Sequence, residues 1–164
     1  MKIINNITEK LSDDLHVEIS PHSKVSIAAA CFSVYAYEEL KEQLEQVDSL
    51  RFIFTSPTFL SEPSAKEKRE FYIPRQAREK TLHGSEFEIR LRNEFTQKTI
   101  SKECADWVRR KAQFKSNCTD ETMPGFLAVD SDHPVAYAPI NGFTRADLGC
   151  ERGGNMFSMI QQLD

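Results

Sequence analysis

Residues 24–55, KVSIAAACFSVYAYEELKEQLEQVDSLRFIFT, decide the fold. The run 24–32 is apolar and rich in small side chains, as a short buried strand requires. Over 35–47, Leu40, Leu44 and Val47 share one face at helical spacing while acids and Lys41 take the other, which predicts an amphipathic helix. Ser49 breaks that pattern, and 50–55 turns β-rich with Phe52, Ile53 and Phe54. Strand, crossover helix and strand make a β-α-β unit whose strands run parallel, so the chain reads as α/β.

Working outward from that unit, Ile7, Leu11 and Leu15 recur on one helical face and predict a short N-terminal helix, ended by Pro21. Downstream, residues 56–64 carry Pro57 and Pro63 among serines and threonines and read as a loop. The stretch 66–80 is charged except at Phe71, Tyr72 and Ile73, and with Pro74 inside it reads as irregular or partly helical. Strand and helix both remain open for 86–95, where Phe87, Ile89 and Leu91 alternate although Ile89 and Leu91 also suit a helix. Residues 99–111 (TISKECADWVRRK) are plainer. Ile100, Cys104, Trp107, Val108 and Lys111 share one face, and Arg109 and Arg110 sit in the last turn, where cations suit the helix dipole. Three strands follow at 112–115, 126–129 and 135–139, an antiparallel or mixed extension of the sheet. In 155–163 (NMFSMIQQL) the spacing of Met156, Phe157, Met159, Ile160 and Leu163 predicts a final helix.

A length of 164 residues fits one domain, and 40% apolar, 28% charged and 10% aromatic residues lie in the ordinary globular range. The longest apolar stretch, 25–34, holds two serines and is far shorter than a spanning helix. Residues 1–14 lack the basic start and apolar centre of a secretory signal, so a cytoplasmic protein without a membrane anchor is expected. Cys31, Cys104, Cys118 and Cys150 are widely spaced, with no Cys-x-x-Cys pair, and read as reduced thiols. His16, His22, His83 and His133 are equally isolated, and nothing motivates a metal site. Neither a phosphate-cradling G-x-x-x-x-G-K-[ST] loop nor a G-x-G-x-x-G is present, so no nucleotide cofactor is expected.

The net charge of -4 hides an uneven distribution. Residues 1–61 carry -4, 62–115 carry +5 and 116–164 carry -5. A basic middle third has two readings, a surface that meets phosphates or a solvated helical face that pairs with its own acids. Arg109, Arg110 and Lys111, ending a helix next to Lys115, make the better phosphate candidates, since Asp106 is the one acid within a turn. Arg90, Arg92 and Asn93 alternate with apolar neighbours and are further phosphate candidates, against a favoured reading in which they pair with Glu86, Glu88 and Glu94. Trp107 lies on the apolar stripe of its helix and reads as a core anchor. His22-Ser23-Lys24 is a His-x-Lys and resembles the core of the phospholipase D motif, a resemblance that implies a histidine attacking phosphorus and a lysine holding the phosphoryl oxygens. It precedes the first strand rather than following the sheet, no Asp lies at the required spacing after Lys24, and it reads chiefly as a surface turn. His83, beside Gly84, is a weaker catalytic candidate.

Two stretches carry a family resemblance. Residues 135–149 (VAYAPINGFTRADLG) resemble the segment of phospholipase D-like nucleases in which a strand leads into a Gly-Ser-x-Asn-Phe-Thr turn and then a Gly-Leu pair. Phe143, Thr144, Leu148 and Asn155 match that pattern, whereas Pro139, Ile140, Asn141 and Gly142 replace the Gly-Ser and the phosphate-supporting Asn. Residues 125–132 (GFLAVDSD) stand where the His-x-Lys belongs and contain neither residue. Residues 85–116, with Leu-Arg-Asn and then Glu-Cys-Ala-x-Trp, followed by the Gly-Phe-Thr turn, resemble the N-terminal phospholipase D-like domain of bacterial Swi/Snf-type or DEAD-type helicases. The resemblance implies a single phospholipase D-like α/β domain over 1–164, a mixed sheet flanked by helices, excised from a longer helicase. It implies a catalytically degenerate module that binds or positions nucleic acid for an ATPase motor in the same polypeptide. The alternatives are a phosphodiesterase that completes its site as a homodimer, using His22, Lys24 or His83, and a protein-interaction module.

Overall fold

The structure is a computed structural model that describes residues 2–56, 60–61, 71–72, 95–119, 121–151 and 153–164. In chain order the strands are β1 (Lys2–Ile4), β2 (Lys24–Ala29), β3 (Ser49–Phe54), β4 (Leu60–Ser61), β5 (Phe71–Tyr72), β6 (Ala112–Ser116), β7 (Phe126–Asp130), β8 (Val135–Ala138) and β9 (Ile160–Leu163). The helices are α1 (Leu11–Glu18), α2 (Val34–Glu39), α3 (Lys41–Leu44), α4 (Phe95–Lys111) and α5 (Arg145–Leu148). Seven strands form one sheet in the order β1-β9-β8-β7-β2-β3-β6, and β4 and β5 pair separately. The chain is therefore a mixed α/β protein with an open sheet and helices.

The predicted parallel pair is present: β2 runs beside β3 with Val25 opposite Leu50, Ile27 opposite Phe52 and Ala29 opposite Phe54. Strand β6 continues the parallel block on the far side of β3, and β7 opens the antiparallel half against β2. The alternation of each strand sends Val25, Ile27, Leu50, Phe52, Leu127, Val129 and Tyr137 into one apolar cluster with Leu11, Leu15, Leu40, Leu44 and Trp107 of the helical layer. Around Phe32, the rings of Phe52, Phe114 and Phe143 stand 5.3 to 5.5 Å away, so the aromatics of β3, β6 and the 139–144 turn close the core at one end of the sheet.

Three expectations need correction. The helix anticipated over 35–47 is two short helices with Leu40 (φ -108°, ψ 18°) as the break between them. Leu40, Leu44 and Val47 are nonetheless fully buried, because both pieces turn the same apolar side to the sheet. The first helix begins at Leu11 rather than Ile7. Asn5 Oδ1 accepts from the backbone N–H of Ile7, Thr8 and Glu9, and Asn6 (φ 60°) turns the chain, leaving Ile7 outside and exposed. The final helix is instead strand β9, paired antiparallel with both β8 and β1. Met156, Phe157 and Met159 precede it at 78%, 69% and 60% exposure, so their helical spacing buries nothing.

Candidate functional site

The parallel strands β2, β3 and β6 end on the same edge of the sheet, the edge at which open α/β sheets hold their ligands. There the segment 139–144, entered through a cis Ala138–Pro139 peptide, folds back across the end of β2. Ile140 N–H donates to Gly125 O at 3.0 Å and Ala30 N–H to Asn141 O at 2.8 Å. Phe143 N–H donates to Cys31 O at 2.8 Å, and Ser33 N–H returns a bond to Phe143 O at 2.9 Å. Thr144 then caps α5, its Oγ1 accepting from Asp147 N–H at 3.2 Å and donating to Asp147 Oδ2 at 2.6 Å. Gly149, at φ 78°, takes the left-handed position that ends the helix. Residues 125–132 and the Gly-Phe-Thr turn, which the sequence singled out separately, thus meet at one place.

Two glycines decide what that place can do. A Cβ at Gly125 would overlap the Ile140 carbonyl oxygen and come within 3.1 Å of Ala28 O, both backbone atoms. A Cβ at Gly142 would stand 2.6 Å from both Asp147 Oδ2 and Cys31 Sγ. These positions accept no side chain without backbone or side-chain displacement, so neither presents a group to a reacting phosphate. Cys31 and Asp147, which flank Gly142, are the site residues that sequence reading missed. Their nearest signal was the small-residue run 28–31, which marks a strand end that something packs against.

His22 and Lys24 lie at the other end of β2, roughly 16 Å away for five residue steps of strand. His22, at φ 66° and with its side chain exposed, forms the turn, and its Nδ1 lies 3.0 Å from Asp48 Oδ1. The two residues line a cavity of about 510 Å³ together with Asp48, Asp130 and Asp132. Three carboxylates against one lysine repel a phosphodiester, so the His-x-Lys has the sequence of a phosphoryl site and the electrostatics of its opposite. Among the described residues Ser23 Oγ, buried between them, has no hydrogen-bond partner.

The cations expected to form one phosphate-facing edge are divided. Arg109 Nη1 donates to Asp106 Oδ1 at 2.8 Å. Arg110 Nη2 donates to Glu45 Oε2 at 3.2 Å, and Lys111 Nζ to the carbonyls of Glu45 and Val47 at 2.7 Å each. Glu45, distant in sequence, supplies the acid that counting along α4 does not find. Lys115 points the other way, since its neighbour Phe114 packs on Phe52 in the helix-side core and successive strand residues alternate faces. His83, Arg90 and Arg92 lie outside the described residues, as do nearly all of the stretches 56–64, 66–80 and 86–95.

Among the described residues the pKa shifts activate no nucleophile. Burial pushes the Cys104 thiol up to about 12 and raises Cys150 as well. Burial, reinforced by hydrogen bonds to Glu45 and Asp14, raises the phenols of Tyr37 and Tyr137. A raised thiol is a poor nucleophile. Among the described residues no group of three or more His, Cys, Asp or Glu side chains is placed to hold a metal ion, and no helix is long and apolar enough to cross a membrane. Comparison of the chain with protein-family models, curated proteins and solved structures finds no match.

Proposed function

We propose that the chain is a phospholipase D-like domain without turnover, which binds or positions nucleic acid for a helicase motor carried by the same polypeptide. The observations that support the loss of turnover are the closure at Gly142, where the resemblance asks for the phosphate-supporting Asn, and the lack of a His and a Lys in 125–132, the stretch that Gly125 opens and where the His-x-Lys belongs. The mixed sheet and the turn folded over the ends of its parallel strands agree with the proposed ancestry. The basic middle third supplies the binding half of the proposal, and a net charge of -4 limits it to weak, micromolar or poorer, contact with the phosphate backbone.

The test is a pair of measurements on the whole chain: hydrolysis of a generic phosphodiester and anisotropy of a labelled oligonucleotide. No hydrolysis with salt-sensitive binding is the expected result, and hydrolysis lost in His22→Ala restores the phosphodiesterase alternative. A docking role has its own support in the exposed Met156, Phe157 and Met159, a patch of the kind that partner proteins cover. Absence of binding to DNA and RNA favours that second reading.

A further inference from the structure

The sheet has a second face. The residues that alternate away from the helical layer are Ser26 on β2, Arg51 and Ile53 on β3, Gln113 and Lys115 on β6, and Phe126, Ala128 and Ala136 on β7 and β8. Arg51, Gln113 and Lys115 are all exposed there. Between Ser26 and Leu163 this face forms a groove of about 450 Å³, floored by Ala128 and Ala136, with Arg51 on one wall and Asp130 and Asp164 at its rim.

The charge state of this face differs from that of the α4 terminus. Arg51 donates from Nε and Nη2 to Ser26 Oγ, at 3.2 and 2.8 Å, so a neutral hydroxyl orients the guanidinium and leaves its charge uncompensated. Among the described residues neither Arg51 nor Lys115 makes an ion pair, in contrast to Arg109 and Arg110. Arg51 stands in register with Gln113, and Lys115 lies two residues further along, which separates the two cations by ~8 Å of backbone across adjacent strands. Half-buried Phe126 adds an aromatic ring beside the alanine floor, and low side chains leave room for a sugar or base to lie flat. Asp130 and Asp164 oppose phosphate within the groove, so a polyanion is drawn to the side of Arg51 away from them, toward Lys115 on β6.

We propose that this face, along Arg51, Gln113 and Lys115, seats one strand of a nucleic acid by its phosphates. The inference rests on the nucleic-acid reading above and moves its surface from the end of α4 to the sheet. The experiment is anisotropy of a labelled oligo-dT with the full chain at several salt concentrations. Arg51→Ala with Lys115→Ala is expected to weaken binding and to lower the slope of log affinity against log salt by about 1.4, two single-strand phosphate contacts. Arg51→Lys with Lys115→Arg is expected to keep the slope, and circular dichroism verifies that each variant is folded. Arg109→Ala with Arg110→Ala is expected to leave it unchanged. A slope that falls in the α4 pair and not in the sheet pair overturns the seat and leaves the nucleic-acid reading standing. A wild-type chain that binds no oligonucleotide at about 50 mM salt removes that reading itself. A concentration-dependent dimer dispersed by Arg51→Glu, with oligonucleotide binding intact, assigns the face to a second copy and likewise overturns the seat.

Discussion

The indole N–H of Trp107 donates to the carbonyl oxygen of Leu44 at 2.8 Å, joining α4 to the end of α3 inside the core. Both residues are fully buried, and the ring of Tyr37 lies 5.0 Å from the indole. Trp107→Phe keeps most of the apolar contact and orphans the carbonyl, so a loss of about 1–3 kcal/mol is expected, against about 3–5 kcal/mol for Trp107→Ala. Urea unfolding of the two variants checks both the losses and their order.

Substitution at the glycines separates closed positions from open ones. Gly125→Ala forces a methyl group onto the Ile140 carbonyl and is expected to cost about 3 kcal/mol or more. Gly153→Ala meets nothing within 4 Å and is expected to stay within about 0.5 kcal/mol of the parent. Equal thermal midpoints for the two variants would contradict the packing described around Gly125.

Alkaline pH is expected to destabilise this protein through buried protons, those of Cys104, Tyr37 and Tyr137 foremost. Cys104, raised to about 12, and the raised phenols of Tyr37 and Tyr137 hold protons that the unfolded chain releases near the ordinary values of about 8.5 and 10. Their contribution is complete below pH ~8.5 and declines as pH rises, by about 1.4 kcal/mol per pH unit for each group once it has passed its unfolded value. Urea midpoints are expected to fall between about pH 8.5 and 10.5, with the earliest part of the fall reduced in Cys104→Ala and the remainder of that part owed to Cys150. A flat profile over that range would count against the burial of all three.

At His22 the backbone carries the cost of a left-handed conformation on a residue with a Cβ. His22→Gly is expected to be neutral or stabilising by up to ~1 kcal/mol, since the exposed contact with Asp48 contributes little. Differential scanning calorimetry decides this, and a clear loss of stability would assign the imidazole a structural role.

The β-α-β unit was legible because its apolar residues follow the periods that strands and helices impose, and β2, β3 and the buried Leu40, Leu44 and Val47 stand where 24–55 places them. The break at Leu40 leaves no mark on that pattern, since both pieces bury the same side. Strand β9 was illegible for a different reason. Four residues, two of them glutamine, take their conformation from β8 and β1, partners far away in sequence. In the candidate site, the order of Gly125 and the Gly-Phe-Thr turn was readable, but their closure depends on a backbone contact between Gly125 and Ile140 that no spacing encodes. Arg110 looked free for the same reason, its partner Glu45 lying on another element. Arg51 left the one usable trace, a lone cation in the alternation of 50–55.

The pairing of Lys2 with Gln162, at the seam of β1 and β9, sets a schedule for biosynthesis. Strand β1 finds its sheet partner, β9, 160 positions further along the chain, Lys2 opposite Gln162, a wait on the order of ten seconds at ordinary elongation rates. Until then Ile4, buried against Ile160 in the folded chain, has no strand to lie against. The residues of the parallel block β2, β3 and β6 are all synthesised before those of β9, so that block is expected to be available for pairing before β1 is. A ribosome stalled before Ile160 therefore displays a nascent chain whose amino-terminal strand is unpaired and open to chaperones or proteases.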